Sequence, residues 1–186
     1  STPLYSSAAS DVYKRQVTRL AYHPRRHSGG AIRTYRFVQV DVPVDGSGKE
    51  VEGAGAVGGA THRRLYRLQF IHVTPVDDVP TAIAPFLGRV LIGVGRALRL
   101  YDLGKRRLLR KCENRGFPTI IHSITTSVDR IFVGDAAESV HFVKYRRGQN
   151  LLVAFADDPI ARHTTAVLPL DHDTVAAGDK FGNVFV

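Results

Sequence analysis

The chain has 186 residues, enough for one ordinary domain or part of a larger one and too few for two well-separated cores. Hydrophobic residues make up 44% of it and charged residues 23%, which excludes wholesale disorder, collagen-like repeats and a coiled coil. There is no apolar window of about 18 residues and no lysine-flanked apolar leader, so the sequence reads as soluble and intracellular, with no membrane contact. Cys112 is the single cysteine, so an internal disulfide and any zinc site needing two thiolates are excluded. A formal charge of +9 favours an acidic partner, either nucleic acid or an acidic protein surface. The positive charge falls in small knots: Arg25 and Arg26, Arg63 and Arg64, Lys105 to Arg107, Arg110 and Lys111, and Lys144 with Arg146 and Arg147.

Residues 1–20 show no steady period and are expected to be a disordered or non-native leader, set apart from a partial β-propeller over residues 21–186. Residues 31–42 mix β-branched and aromatic side chains and predict a strand that Pro43 closes. The Gly/Ala-rich stretch at residues 44–62 is too poor in large apolar groups to offset its ordering entropy, and is expected to be a flexible insertion joining two strands.

From Arg64 onward the chain repeats. Apolar runs end at Gly93, Gly134 and Gly178, spaced by 41 and 44 residues. Upstream segments centre on Ile83, Ile124 and Val167, spaced by 41 and 43 residues. Downstream come Leu98 to Tyr101, Val140 to Val143 and Val184 to Val186. Glycine turns at Gly104 and Gly148 follow the first two and lead into Leu108-Leu109 and Leu151-Leu152.

Each unit therefore holds about four short strands at the interval of a propeller blade. Helical solenoids are disfavoured, because the apolar residues fall in runs or alternate instead of recurring at i, i+3, i+4 and i+7. The fold class predicted is all-β: a WD40-like β-propeller, represented by about three four-stranded blades of an incomplete ring, hence a fragment. Val90 to Val94, continuously apolar, reads as the innermost strand of its blade, and Leu98-Arg99-Leu100 as an outer strand with a wet face.

Several segments then carry a resemblance: Thr74 to Pro80, Ala82 to Phe86, Gly88 to Gly95, Tyr101 to Lys105, Leu108 to Asn114 and Asp179 to Asn183. They resemble the family of large β-propeller subunits shared by splicing factor 3b, the damaged-DNA-binding complex and the cleavage and polyadenylation specificity factor. Leu108 to Asn114 and Asp179 to Asn183 look most like the splicing factor 3b member. The resemblance implies a non-catalytic scaffold of the U2 small nuclear ribonucleoprotein, located in the nucleus and acting in pre-mRNA splicing through contacts with other splicing factor 3b subunits. The alternative it leaves open is a nucleic-acid-binding or ubiquitin-ligase adaptor like the other members.

No catalytic, metal or cofactor site is expected, nor a small-molecule substrate. Gly93-Val94-Gly95 lacks the third glycine of a dinucleotide fingerprint and leads into a strand, not a helix. Asp171-His172-Asp173 reads as a turn, since adjacent residues on an extended chain point to opposite faces. His122 and His141 read as strand histidines satisfied by their surroundings, Asp157-Asp158 as a loop between blades, Asp102 as a turn residue and Cys112 as a packing residue.

The candidate interaction site is a basic rim. Lys105, Arg106 and Arg107 and Lys144, Tyr145, Arg146 and Arg147 occupy equivalent turns of neighbouring units, with Arg106 and Arg146 40 residues apart. Equivalent turns share one rim, so these residues are expected to face an acidic protein, with any RNA contact indirect or weak and electrostatic.

Overall fold

The computed structural model describes residues 11–17, 21–22, 25–26, 29–44 and 61–186. Every regular element among them is a strand. A sheet of β1 (Asp11–Val17), β4 (Gly30–Val44) and β5 (Thr61–Val76) comes first, in the order β1-β4-β5, and the short strands β2 (Ala21–Tyr22) and β3 (Arg25–Arg26) pair with each other. Three antiparallel meanders follow. The first is β6 (Pro80–Phe86), β7 (Arg89–Val94), β8 (Ala97–Asp102) and β9 (Leu109–Asn114). The second is β10 (Ile121–Ser127), β11 (Arg130–Asp135), β12 (Ser139–Arg146) and β13 (Leu151–Asp157). The third is β14 (Thr164–Pro169), β15 (Val175–Asp179) and β16 (Val184–Phe185), a sheet of three strands where four were expected. The all-β propeller-like architecture is borne out, with an unclosed ring.

Three buried clusters stack the sheets face to face. Leu91, Leu98, Leu100 and Phe117 meet Ile121, Ile131, Val133 and Val143 between the first and second blades. Phe132 and Val140 meet Val167 and Ala177 between the second and third. Ile32 and Val76 of the β4–β5 hairpin pack on Val90, Ile92, Val94 and Tyr101 at the other side of the first blade. The hydrophobic effect thus acts between blades, the first and second sheets each being covered on both faces by neighbours.

The repeat is geometric as well as sequential. In all three blades the first strand carries a register shift at its second residue, which is Thr81, His122 and Thr165 in turn, opposite the repeating glycine. The Thr81 hydroxyl donates to the Gly93 carbonyl at 3.2 Å and the Thr165 hydroxyl to the Gly178 carbonyl at 3.1 Å. After each second strand a backbone N–H donates back to the carbonyl just before the first: Gly95 to Val79, Ala136 to Ile120, and Lys180 to His163.

Several expectations are corrected here. The first strands β6, β10 and β14 pack on one another, so they are innermost, and Val90 to Val94 lies in the second strand. That strand is continuously apolar because it sits mid-sheet with both faces covered. Arg99 does not mark a wet face: it is 3% exposed, and all of β8 is buried apart from half-buried Asp102. Burial is possible because Arg99 holds both oxygens of Asp77, at 2.5 and 2.9 Å, and takes Glu113 on Nε at 3.0 Å. Pro43 does not close its strand, which runs to Val44 with Pro43 opposite His62; proline is tolerated there because the missing N–H removes one ladder bond only.

Residues 11–17, read as leader, are placed as a strand antiparallel to β4, from Asp11 opposite Arg36 to Val17 opposite Gly30. Residues 1–10 and 18–20 lie outside the described residues, as do residues 45–60 of the Gly/Ala-rich stretch, which connects β4 to β5.

Candidate interaction rim

Lys105, Arg106 and Arg107 lie in the connection between β8 and β9, all three exposed. The loop is held at both ends by the hairpin. His72 Nε2 pairs with the Gly104 carbonyl at 3.1 Å, and the Leu108 N–H donates to the Thr74 hydroxyl at 2.8 Å. Gly104 is required by the tight path, because a Cβ there would strike the Arg107 carbonyl oxygen. The basic knot is therefore presented on a fixed backbone.

The second knot is only partly a turn. Lys144, Tyr145 and Arg146 belong to β12, and Arg147 alone enters the turn before β13. Lys144 sits 3.9 Å from Asp129, which offsets its charge. Tyr145 is not a stacking platform. Its ring packs edge-on to Phe86, and its hydroxyl donates to Asn150 Oδ1 at 2.8 Å and accepts from Arg89 at 3.3 Å. Arg146 and Arg147 are exposed. β8 and β12 hold the same third place in their sheets, and each is followed by a connection to the fourth strand.

Between the knots runs a polar seam. Asn150 Nδ2 donates to the Lys111 carbonyl at 2.7 Å and Asn114 Nδ2 to the Leu152 carbonyl at 2.9 Å, joining the outer strands of the two blades. Asp102 accepts from the Leu103 N–H at 2.9 Å, the turn role expected of it, and also pairs with Arg89 at 3.6 Å and Lys111 at 3.8 Å. The two asparagine contacts span 39 and 38 residues, so no local pattern announced them.

Beside the first knot opens a cleft of about 550 Å³, walled by Thr74 to Asp77 at the end of β5 and by Arg99, Tyr101 and Arg107 to Arg110. The hydrogen bond from Arg99 holds the Asp77 carboxyl at about 2, well below its ordinary value. The same pairing raises Arg99, and burial pushes the Tyr101 hydroxyl up.

The side chains set aside as structural behave as follows. Asp135 is fully buried at the end of β11. Burial would raise its carboxyl, but hydrogen bonds from the Thr119 hydroxyl and the N–H groups of Ala137, Thr119 and Glu138 outweigh it and the net shift is downward. Asp157 ends β13 opposite His141, so the loop between blades begins only at Asp158, which accepts from the Ser139 hydroxyl at 2.8 Å and from the Ile160 N–H at 3.0 Å. Asp171 accepts the His172 N–H at 2.6 Å, and Asp173 pairs with Arg130 at 3.2 Å. Among the described residues no three His, Cys, Asp or Glu side chains are grouped to hold a metal. His141 is buried edge-on to Phe117, with no partner for Nε2 among the described residues, so it is packed without being satisfied; His122 is exposed. Cys112 is half-buried against the inter-blade core, and burial raises its thiol. No described helix is long and apolar enough to cross a membrane.

The stacked, bulged four-stranded meanders define a protein of the β-propeller class. Residues 17–186 match the family described as CPSF A subunit region, and the chain belongs to that family. It is 47% identical over 164 residues to splicing factor 3B subunit 3 of Danio rerio, covering 88% of this chain and 12% of that protein. It is 57% identical over 118 residues to spliceosome-associated protein 130 A of Arabidopsis thaliana, covering 63% of this chain and 10% of that one. Pre-mRNA-splicing factor RSE1 of Mycosarcoma maydis is 53% identical over 119 residues, covering 64% and 10%. The chain thus spans about a tenth of the length of these relatives. The resemblance to the splicing factor 3b propeller subunit holds.

Proposed function

We propose that this chain is part of a non-catalytic scaffold subunit of splicing factor 3b, within the U2 small nuclear ribonucleoprotein, acting in pre-mRNA splicing in the nucleus by holding other subunits. The observation that carries the reading is the identity of 47% and 57% to proteins named for splicing factor 3b and the spliceosome. The exposed knots Lys105 to Arg107 and Arg146-Arg147 supply its contact edge, with Lys144 and Tyr145 supporting it from β12. RNA contact there is weak and electrostatic, because phosphate binding by loop arginines carries no base readout.

The test is affinity capture of the intact protein from nuclear extract. Recovery of other splicing factor 3b subunits with U2 small nuclear RNA is the expected result. The family's description, which names the CPSF A subunit, favours a second reading as a polyadenylation-factor or damaged-DNA-binding adaptor, either nucleic-acid-binding or part of a ubiquitin ligase. Recovery of those assemblies instead would establish it.

A further inference from the structure

The cleft beside the first knot combines three properties that a solubilising surface does not need together. Its walls are apolar where Val76, Leu108 and Leu109 line it, and Leu109 stays 47% exposed. Its charge is under-compensated. Both oxygens of Asp77 are taken by Arg99, and the single Glu113 carboxylate serves Arg99, Arg110 and Arg115, at 3.0, 3.1 and 3.0 Å. Arg107 adds a further cation in the lining, and Lys105 and Arg106 stand next to it. Its backbone is preorganised, because His72 and Thr74 pin the loop at Gly104 and Leu108, so a ligand need not order it.

We propose that this cleft docks an extended acidic peptide of a partner protein, with aliphatic side chains against half-buried Val76 and exposed Leu109 and carboxylates on Arg107 and Arg110. The proposal deepens the scaffold reading and rests on it. Charge complementarity selects an acidic occupant, and the apolar wall selects a peptide over a bare anion. A nucleic acid fits less well. The aromatic side chain in the lining, Tyr101, is 4% exposed and packs in the core, so it offers no ring for a base to stack on.

The test is fluorescence anisotropy on the intact protein at near-physiological salt, with a labelled Glu-Leu-Glu-Leu-Glu-Leu peptide as probe. Saturable binding is expected, weakened at least tenfold by Arg107→Glu with Arg110→Glu and changed less than twofold by Arg146→Glu with Arg147→Glu. Arg107→Gln with Arg110→Gln, which removes charge without reversing it, should weaken binding to an intermediate extent while keeping the parent's melting temperature. A Lys-Leu peptide should not bind, and hexaglutamate should bind at least fivefold more weakly. Absence of saturable binding, equal losses in both double reversals, or displacement of the peptide by oligouridylate at equal concentration would each overturn the proposal. Capture of partner subunits is scored separately. Capture that persists without peptide binding removes the cleft and leaves the scaffold reading, whereas peptide binding that follows Arg107 and Arg110 without any splicing partner keeps the cleft and removes that reading.

Discussion

A Cβ on Gly93 would lie 2.7 Å from Cγ2 of Ile121, the residue that opens the inner strand of the next blade. Gly134 repeats the relationship one blade on, where an added Cβ would meet the Ser123 hydroxyl and stand 3.1 Å from Val167 and 3.3 Å from Thr164. Both glycines have ordinary extended backbones, so what they provide is space for blade-to-blade packing and not unusual φ. Gly178 holds the same place in the third blade, but its nearest atom is 3.9 Å away.

The three glycines should therefore separate on substitution. Gly93→Ala is expected to cost about 2 kcal/mol through overpacking of a filled interface. Gly134→Ala should cost somewhat less, since the Ser123 side chain can rotate away. Gly178→Ala should be neutral to stability. Urea unfolding followed by far-UV circular dichroism measures all three, and an equal cost at Gly93 and Gly178 would contradict the argument.

Arg99 and Asp77 join the first blade to the end of the long hairpin, and their link should be pH-dependent in the acid range. The folded carboxyl sits at about 2 against an ordinary 3.8, so its contribution is fully present above about pH 4 and is lost as pH falls toward 2. Because the Asp77 side chain is 62% exposed, screening reduces the contribution to about 1 kcal/mol. Asp77→Asn should thus be less stable than the parent at pH 7, with the difference shrinking between pH 4 and pH 2. A difference independent of pH would refute the ionic origin.

What could be read from sequence was local and repeated; what could not was distant. The glycines, the strand runs and the Gly104 and Gly148 turns recur along the chain, and each reports a short-range rule of strand or turn chemistry. The innermost strand was misplaced because continuous apolarity reports covering on two faces, which a mid-sheet strand such as Arg89–Val94 also has. Arg99 looked wet because its partner Asp77 lies 22 residues away and outside its own sheet. The cleft and the pinned basic loop were invisible for the same reason, since Thr74 to Asp77 and Arg107 to Arg110 meet only once the hairpin folds onto the first blade.

Val128 offers a gain in stability. It turns β10 into β11 with φ of 52°, a left-handed conformation that a β-branched residue adopts at a cost, and its side chain is 79% exposed. Val128→Gly or Val128→Asn should raise stability by roughly 1 kcal/mol, relieving the backbone without removing packing. A loss of stability in both variants would show that Val128 makes contacts its exposure does not suggest.

The basic rim makes the last prediction. Arg106 and Arg146 are exposed residues of equivalent third-to-fourth strand regions, Arg106 on the pinned loop and Arg146 at the end of β12. If they face acidic partner protein, Arg106→Glu with Arg146→Glu should weaken capture of partner subunits and leave RNA affinity unchanged. If they bind phosphate, the same change should instead reduce the salt dependence of RNA binding by about one in the log–log slope for each phosphate no longer neutralised, with base preference unaltered. The first outcome is expected, because Tyr145 is committed to Phe86, Arg89 and Asn150 and so gives bases nothing to stack on. RNA binding and partner capture measured in parallel on the intact protein decide between them, and base-selective RNA binding that survives high salt would exclude both.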